Sequence, residues 1–284
     1  MNRKIYGESV QGASHIRNHT VCQDSYKQVQ ISDDIALIAV ADGHGSESCP
    51  FSKTGSKIAT NVFCHVMEDL VHNFSEDMDF FMTYLNREGE MKVSQAIDAE
   101  WKRRIWKAHT DNKREKLLCD DGTVDKAAIY KQYGTTLLGL MITPVFLFAF
   151  QLGDGDILHI SSTEIQPVIE GDKILGTETH SLCKINAWKK AITIIRKKKT
   201  DDEKPYLYLM STDGFVNSYR TQQDFHITCR DYYNLIQEHG FDAVSANLRT
   251  WLAETSEQGC GDDITVVMAY FSPAVESNQE ETVK

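Results

Sequence analysis

The chain of 284 residues is long enough for one large domain or two small domains with a substantial core. Apolar residues make up 41% and charged residues 25% of the sequence, which is typical of a soluble globular protein. The formal net charge of −11 argues against nucleic acid as a partner, because phosphate binding requires a basic surface.

The seven cysteines are scattered along the chain, odd in number and nowhere arranged as Cys-x-x-Cys. This spacing argues against a disulfide framework and against a zinc ribbon, so free thiols in a reducing compartment are expected. No apolar run approaches the ~20 residues that cross a bilayer, and the first residues lack the apolar stretch of a secretory signal. We therefore expect a cytoplasmic protein that does not bind membranes.

Short apolar runs predict buried strands, and amphipathic spacing predicts helices. The runs are mostly continuous rather than alternating, which indicates strands covered on both faces. In chain order they are 35–40, 137–142, 145–150, 157–160, 206–210 and 264–271, with Thr143-Pro144 as a hairpin turn between the second and the third. Apolar residues at helical spacing mark helices over 58–70, 97–105 and 244–252.

Strands and helices come in blocks rather than in strict βαβ alternation. This order favours an α+β fold of packed sheets flanked by helices over a doubly wound parallel sheet. No repeat, low-complexity tract or Pro/Gly/Ser-rich linker divides residues 1–271, so a single domain is expected there. The polar last stretch, residues 272–284, is predicted to be a disordered tail.

Aspartates stand at the ends of four predicted strands. Three of these positions are followed by glycine, and each alone would be typical of a tight turn. Together they weaken that interpretation, since ordinary turns need no such repetition at the ends of the long apolar runs. The positions are Asp42, Asp154, Asp213 and the pair Asp262-Asp263.

Carboxylates that converge cannot all be ionised without a counter-ion. Two like charges about 4 Å apart cost roughly 4 kcal/mol near a protein surface, and divalent cations remove that cost. Carboxylate and carbonyl oxygens are the ligands that Mg²⁺ and Mn²⁺ prefer, whereas zinc favours clustered His or Cys. Two such cations can activate a water molecule and hold a phosphate for attack. His44, two residues beyond Asp42, can then protonate the departing oxygen, and a solvent-facing turn histidine is the alternative interpretation.

Six short segments, in this order along the chain, resemble the PP2C family of metal-dependent serine/threonine protein phosphatases. They are Gln23-Asp24-Ser25, Ala41-Asp42-Gly43-His44-Gly45, Tyr133-Gly134-Thr135-Thr136-Leu137, Gly153-Asp154-Gly155-Asp156, Ser211-Thr212-Asp213-Gly214 and Gly261-Asp262-Asp263-Ile264-Thr265. The opening Gly12-Ala13-Ser14-His15 is most similar to a bacterial subgroup. The resemblance implies a sandwich of two antiparallel β-sheets with helices on both outer faces. It also implies hydrolysis of phosphoserine and phosphothreonine in proteins by water activated between two Mg²⁺ or Mn²⁺ ions, without a covalent phosphoenzyme.

The resemblance further implies a set of metal ligands. Asp42 would bridge the two cations, while the Gly43 carbonyl would bind one of them. Asp213 and Asp262 would complete the first metal site. Asp24 would serve the second site, directly or through water.

Two more positions match the family, and three depart from its pattern. Asp154 matches the position that helps to hold a third, weaker ion, and His44 matches the proposed general acid. Arg17 is the nearest candidate for the arginine that grips the phosphate, but its spacing from the first acidic motif is longer than usual. Asp263 replaces the common asparagine and adds negative charge near the cations, while Gln23 replaces the common glutamate and removes one carboxylate.

Two segments lie outside these motifs. Residues about 165–204 occupy the place of the family's variable flap beside the active site, and they contain the basic run from Arg196 to Lys199. A solvated loop is the ordinary interpretation of such a run, and steering of a phosphorylated or acidic partner is the alternative. Residues 107–131, which are charged and lack clear periodicity, are interpreted as an insertion.

Other functions compete with the phosphatase. A catalytically silent relative that binds phosphopeptides would have lost metal ligands, but every expected aspartate is present. A two-metal hydrolase of nucleic acid conflicts with the acidity and with the lack of an aromatic-basic stripe. A haloacid-dehalogenase-type phosphatase would need an early Asp-x-Asp-x-Thr/Val motif, which Asp154-Gly155-Asp156-Ile157 does not provide. We expect a monomer whose partner is a phosphorylated protein, the target of a serine/threonine kinase.

Overall fold

The computed structural model describes residues 2–74, 76–170, 179–198 and 204–273. Strands within these ranges form two antiparallel sheets of five strands each. The strands are β1 (Asn2–Val10), β2 (Ser25–Gln30), β3 (Ala36–Ala41), β4 (Leu137–Ile142), β5 (Phe146–Leu152), β6 (Asp156–Ser161), β7 (Ile165–Pro167), β8 (Ile192–Lys197), β9 (Tyr206–Ser211) and β10 (Ile264–Ser272). The first sheet has the order β1-β10-β9-β6-β7, and the second has the order β2-β3-β4-β5-β8.

Helices of very different lengths connect the strands. A π-helical turn at Leu85–Gly89 and a 3₁₀ turn at Ala187–Lys190 accompany them. The α-helices are α1 (Ala13–Arg17), α2 (Ser52–Phe74), α3 (Met78–Tyr84), α4 (Glu90–Asp111), α5 (Lys126–Lys131), α6 (Asp213–Asn217), α7 (Gln222–His239) and α8 (Phe241–Gln258).

Three apolar clusters separate the layers of the molecule. The central cluster joins the facing sides of the two sheets and includes Ile38 and Val267. A second cluster lies between the second sheet and helices α2 and α4, with Phe63 and Trp101 fully buried in it. The third packs α7 and α8 on the first sheet and includes Leu248. The predicted α+β sandwich of two antiparallel sheets with helices on both outer faces is therefore confirmed.

The elements predicted from apolar periodicity are present, with bounds that differ by a few residues. The six predicted strands correspond to β3, β4, β5, β6, β9 and β10, and β4 and β5 pair antiparallel across Thr143-Pro144. The three predicted helices lie within α2, α4 and α8, each of which is longer than its apolar stripe. The sequence did not predict strands β1, β2, β7 and β8 or helices α1, α3, α5, α6 and α7.

The segment interpreted as an insertion is ordered and packs on the body of the protein. Residues 107–131 comprise the end of α4, a connection and α5, in which Ile129 is buried. The guanidinium carbon of Arg114 lies 3.5 Å from the centroid of the Phe51 ring, and this guanidinium also donates to the Tyr133 hydroxyl. The insertion thereby supports the chain next to Gly134, which borders the site described below.

Arg196 and Lys197 of the basic run are exposed, as expected of a solvated segment, but the run is not a loop throughout, because these two residues end strand β8. The guanidinium of Arg196 donates to two backbone carbonyls at 3.1 and 2.8 Å, and the Lys197 amine lies 3.9 Å from an Asp79 oxygen. Lys197 pairs with Phe146 at the beginning of β5, whereas Asp154 follows the other end of that strand. The steering hypothesis therefore has no support from position, and the fourth residue of the run lies outside the described residues.

The predicted tail and the predicted flap lie partly within the described residues. Strand β10 continues through Ser272, so this residue is not part of the predicted tail, and residues 274–284 lie outside the described residues. The same holds for 171–178 and 199–203 of the predicted flap. Within the described ranges, no helix combines the length and the apolar content needed to span a bilayer.

Strand ends from both sheets meet at one edge of the sandwich. In the first sheet, Ser211 at the end of β9 pairs with Val266 near the start of β10 and with Asp156 at the start of β6. In the second sheet, β3 and β5 run parallel to each other, since each pairs antiparallel with β4. The four aspartate motifs follow or precede these ends, so the fold can bring them together.

Candidate active site

The loop after β3 is fastened to the segment before β4 by hydrogen bonds. The carbonyl of Asp42 accepts from the Thr135 hydroxyl at 2.7 Å and from the Thr136 amide at 2.9 Å. The His44 amide donates to the Gly134 carbonyl at 3.0 Å. These bonds fix the backbone of the first aspartate motif. They also show the structural role of the 133–137 motif, which is to hold that loop in place.

Gly43 lies where the backbones of three segments approach one another. It forms an isolated antiparallel bridge with Thr135. A Cβ atom at this position would lie 2.6 Å from the carbonyl oxygen of Gln23 and 2.9 Å from the backbone of Ser52. Since real Cβ atoms do not come so close, only glycine allows this approach.

Asp213 and Asp24 are positioned by the end of β9. Asp213 begins the short helix α6, where its carboxylate lies near that of Asp42 and accepts from the Asn217 amide group at 2.9 Å. Asp24 is buried and accepts from the Thr212 hydroxyl at 2.7 Å. The residue before Asp213 therefore holds Asp24 next to the same carboxylates.

The two aspartates before β10 have different surroundings. The carboxylate of Asp262 is half-exposed and lines the pocket, and one of its oxygens lies 3.5 Å from His15 Nε2. The carboxylate of Asp263 is buried, accepts from the amides of Gly12 and Gln23 at 2.7 and 2.6 Å, and lies 2.9 Å from His15 Nδ1. Asp263 thus fastens two N-terminal segments to the first sheet and does not line the pocket.

Asp154 connects the pocket to the flap segment. It follows β5, and one of its carboxylate oxygens accepts from the Thr179 hydroxyl at 2.7 Å. The chain after Thr179 is held by backbone bonds, including that from the Leu182 amide to the Thr135 carbonyl at 3.0 Å. The predicted flap therefore supplies part of the pocket wall.

These segments enclose a pocket of about 450 Å³. Its walls carry five acidic or imidazole groups from the strand-end motifs together with lysines, serines and thiols from neighbouring loops. The lining residues are His15, Gln23, Asp42, Gly43, His44, Gly45, Ser46, Ser48, Cys49, Lys131, Asp154, Thr179, Cys183, Lys184, Asp213 and Asp262.

Burial and mutual repulsion raise the pKa values of the central carboxylates. Burial raises the pKa of Asp24 to about 8, with a smaller contribution from Asp263. Burial raises the pKa of Asp213 to about 6, aided by Asp154 and Asp262. Burial also raises the pKa of Asp42 well above its ordinary value, and the charges of the surrounding aspartates add to the shift. A site of this kind favours either protons or a cation among its oxygens.

The donor set fits hard divalent cations. Within the described ranges, no three His, Cys, Asp or Glu side chains are grouped as ligands of one ion. Mg²⁺ usually keeps several waters and is bound by one or two carboxylates, so it needs no such cage. The carboxylates of Asp42 and Asp213, which line the same pocket, and the neighbouring Gly43 backbone offer the oxygen ligands that such an ion requires.

In the absence of cations, the protein should become less stable as the pH rises from about 4 to about 8. Asp24 and Asp213 have an ordinary pKa of 3.8 but titrate in the folded chain near 8 and 6, so folding takes up protons in this window. Stability falls wherever the native state binds more protons than the unfolded state. Thermal unfolding in EDTA across this range checks the prediction, and Asp24→Asn should flatten the upper part of the curve. A melting temperature that rises with pH in the native protein would contradict it.

Six of the eight residues singled out in the sequence line one pocket. They are Asp42, Gly43, His44, Asp154, Asp213 and Asp262. Asp24 is buried close to them. Its charge adds to the effect of burial in raising the pKa of Asp42. Arg17 is exposed on α1 and is not among the lining residues, so no pocket contact supports its predicted role with phosphate.

Other lining residues had no predicted role. His15 belongs to an N-terminal motif that the sequence comparison singled out only for its subgroup. Lys131 ends α5, and Lys184 follows the part of the flap that Thr179 begins. Nothing in the local sequence marks these lysines, because long-range packing alone brings them to the pocket.

Comparison with known proteins gives a family for this fold and site. The family model of protein phosphatase 2C matches residues 11–253. No curated protein sequence is significantly similar to the chain.

Solved structures of similar fold cover nearly the whole chain at low sequence identity. The catalytic domain of the serine/threonine protein phosphatase PstP, in complex with two manganese ions, is 16% identical with a TM-score of 0.56, over 94% of this chain and 97% of that one. The S. agalactiae serine/threonine phosphatase is 17% identical with a TM-score of 0.56, over 95% and 100%. RsbX in complex with magnesium is 16% identical with a TM-score of 0.51, over 95% and 96%. This structural similarity concerns the fold. The family model matches most of the sequence, and the chain therefore belongs to the protein phosphatase 2C family.

Proposed function

We propose that this protein hydrolyses phosphoserine and phosphothreonine in proteins with the help of two Mg²⁺ or Mn²⁺ ions, and that a third ion binds more weakly. The observation that carries the proposal is the convergence of Asp42, Asp154, Asp213 and Asp262 with His44 in one pocket. The complexes of PstP with manganese and of RsbX with magnesium support the choice of cation. When bound, such cations lower the pKa of a water molecule and offset the charge of the phosphate.

The side chains of the pocket have separate tasks in this reaction. Asp42 would be the central ligand, because it lines the pocket and the charges of Asp24 and Asp213 act on its carboxylate. Asp213 and Asp262 would complete the first metal site, Asp24 would serve the second directly or through water, and the Gly43 carbonyl would bind one of the two cations. Asp154, held by Thr179, is placed for the third ion.

His44 is proposed as the general acid that gives a proton to the departing serine or threonine oxygen. Its backbone amide is fixed by the Gly134 carbonyl at 3.0 Å, and its side chain lines the pocket. An imidazole is suited to this task because its ordinary pKa lies close to neutral pH.

Lys131 and Lys184 are proposed to attract and hold the phosphate in place of the predicted Arg17. Both lysines line the pocket from separate segments, whereas Arg17 does not. An ammonium group is a recognised phosphate partner, although it acts as a point charge rather than a fork. Their charges also oppose the net charge of −11 that would otherwise repel a phosphoprotein.

Removing the pocket lysines should weaken substrate binding more than removing Arg17. We expect Lys131→Ala or Lys184→Ala to raise the KM for a phosphopeptide up to about tenfold, the factor that ~1.4 kcal/mol of charge-assisted contact represents. Arg17→Ala serves as the matched control and should leave KM unchanged. A rise in KM for Arg17→Ala alone would restore the original assignment of this arginine.

The proposal as a whole is tested by phosphate release from a phosphothreonine peptide and from p-nitrophenyl phosphate, with Mn²⁺, Mg²⁺ or EDTA. We expect hydrolysis that requires a divalent cation and disappears in Asp213→Ala. Asp120→Ala, at an exposed position outside the pocket, controls for the loss of an acidic residue. No hydrolysis by folded protein with any cation would instead favour the non-catalytic phosphopeptide-binding module.

The wider predictions about the protein stay proposals. We propose that residues 1–271 act as one catalytic domain, because the central apolar cluster joins both sheets that carry the site. The substrate is proposed to be a phosphoprotein made by a serine/threonine kinase, and the protein to be a cytoplasmic monomer that binds neither nucleic acid nor membranes.

A further inference from the structure

Two free cysteines from distant parts of the sequence lie near the same glycine, Gly134, in the wall of the pocket. Cys49 belongs to the loop that follows β3 and carries His44, and Cys183 belongs to the flap segment before β8. Both side chains are buried, at 3% and 8% exposure, yet both contribute to the pocket lining. A small oxidant in the pocket can therefore reach either sulfur.

Gly134 lies beside both thiols, and because it has no side chain it leaves space between them. A Cβ atom at Gly134 would lie 3.2 Å from the Cys49 sulfur, 3.4 Å from the Cys183 sulfur and 2.5 Å from Cδ2 of the His44 ring. Both sulfurs and the imidazole thus surround the space that a larger residue would fill. Burial raises the pKa of the Cys183 thiol, and the nearby Cys49 adds to that shift.

The existing contacts of each thiol are weak enough to be exchanged. The Cys49 thiol donates to the Lys131 carbonyl at 3.1 Å, and the Cys183 sulfur lies 3.2 Å from the Ser181 hydroxyl. Thiols are weak hydrogen-bond donors, so turning the sulfurs toward each other sacrifices little. Both residues lie in loop segments rather than inside strands or long helices, so the backbone can adjust as the sulfurs approach the ~2.05 Å of a disulfide.

We propose that Cys49 and Cys183 form a reversible disulfide when the protein meets a peroxide, and that this bond switches the pocket off. In the reaction, the two S–H bonds and the O–O bond of hydrogen peroxide break, an S–S bond forms, and two water molecules leave. The sulfurs are oxidised and the peroxide is reduced, so no further reactant is needed. Exchange with a dithiol reverses the change.

The disulfide would act on the pocket through the segments that it joins. It would tie the loop of His44 to the segment that holds Thr179, the partner of Asp154, and Lys184. It would also pass over Gly134, against which the His44 ring is packed. This inhibitory effect rests on the proposed phosphatase function, whereas formation of the bond does not.

The test treats the folded native chain with hydrogen peroxide, removes the oxidant with catalase, and divides the sample. One half is digested without reduction for mass spectrometry, and the other is assayed with p-nitrophenyl phosphate and Mn²⁺. We expect a linked peptide pair containing Cys49 and Cys183, loss of most of the activity, and recovery of both with dithiothreitol. Cys49→Ser and Cys183→Ser should each keep a much larger fraction of their own untreated activity, whereas the exposed-site control Cys119→Ser should behave like the native chain.

The outcomes separate this inference from the proposed function. Absence of the linked peptide in peroxide-treated native protein overturns the switch, and so does equal inactivation of native protein and both variants. Oxidation of only one of the two sulfurs to a sulfenic or sulfinic acid overturns it as well. A linked peptide in a protein that hydrolyses no phosphoester would leave the disulfide established and refute the phosphatase instead.

Discussion

Replacing Asp42 by asparagine should abolish hydrolysis and at the same time stabilise the protein in the absence of cations. We expect activity to fall by roughly 1000-fold or more, because several kcal/mol of transition-state stabilisation depend on the cations that Asp42 would hold. In the absence of cations, we expect the variant to be more stable than the native chain. Burial and the charges of Asp24, Asp213 and Asp262 disfavour the ionised carboxylate of Asp42, and an amide removes that repulsion.

The two effects of Asp42→Asn are measured on the same preparation. Thermal unfolding in EDTA should show a higher melting temperature than the native chain, while Mn²⁺ should raise that temperature in the native chain much more than in the variant. Asp120→Asn, at an exposed position, should alter neither the activity nor the response to Mn²⁺. A variant that keeps native activity would remove Asp42 from the centre of the site.

Replacing His44 by alanine should slow the hydrolysis of a phosphothreonine peptide far more than that of p-nitrophenyl phosphate. A threonine oxygen needs a proton as it departs, whereas p-nitrophenolate is stable without one. General acid catalysis contributes about 10²- to 10⁴-fold, so we expect a loss of this order in kcat for the peptide and a small loss for the aryl ester. The ratio of the two losses is the quantity to measure.

The substrate comparison separates acid catalysis from a role of His44 in packing. The ring lies against Gly134, so its removal alters the pocket wall as well as its proton supply. A change in packing would slow both substrates equally, and equal losses would therefore contradict the assignment. His44→Gln, which keeps a polar side chain of similar reach but no titratable group, should reproduce the unequal losses.

The core of the fold was predictable because buried strands and helices have recognisable apolar patterns in the sequence. Strands β3, β4 and β5 are buried at every residue, so they appear as continuous apolar runs, and α2 and α4 show apolar stripes that face the second sheet. Edge strands leave less trace. Strand β2 alternates between half-buried and exposed residues, and its only large apolar side chains are Tyr26 and Val29. Strand β8 ends in Arg196 and Lys197, so in the sequence it was interpreted as part of a charged run.

The aspartates of the site were predictable for a related reason. A turn at a strand end is local, and its repetition after several buried strands indicated that those ends converge. Residues whose role depends on distant partners were not predictable. Asp263 fastens Gly12 and Gln23 to the first sheet, and Lys184 reaches the pocket only through the path of the flap. Arg17 was assigned to phosphate binding because it is close to Asp24 in the sequence. In the structure it is exposed and does not line the pocket.

The aspartate pocket is proposed to hold the divalent cations that hydrolysis requires. The most direct measurement is anomalous X-ray scattering from crystals of the native chain grown with Mn²⁺, compared with crystals of Asp213→Ala. We expect two strong manganese peaks that share the Asp42 carboxylate in the native chain, with at least one of them absent from the variant. Crystals without manganese beside Asp42, at a Mn²⁺ concentration that supports phosphopeptide hydrolysis in solution, would contradict the claim.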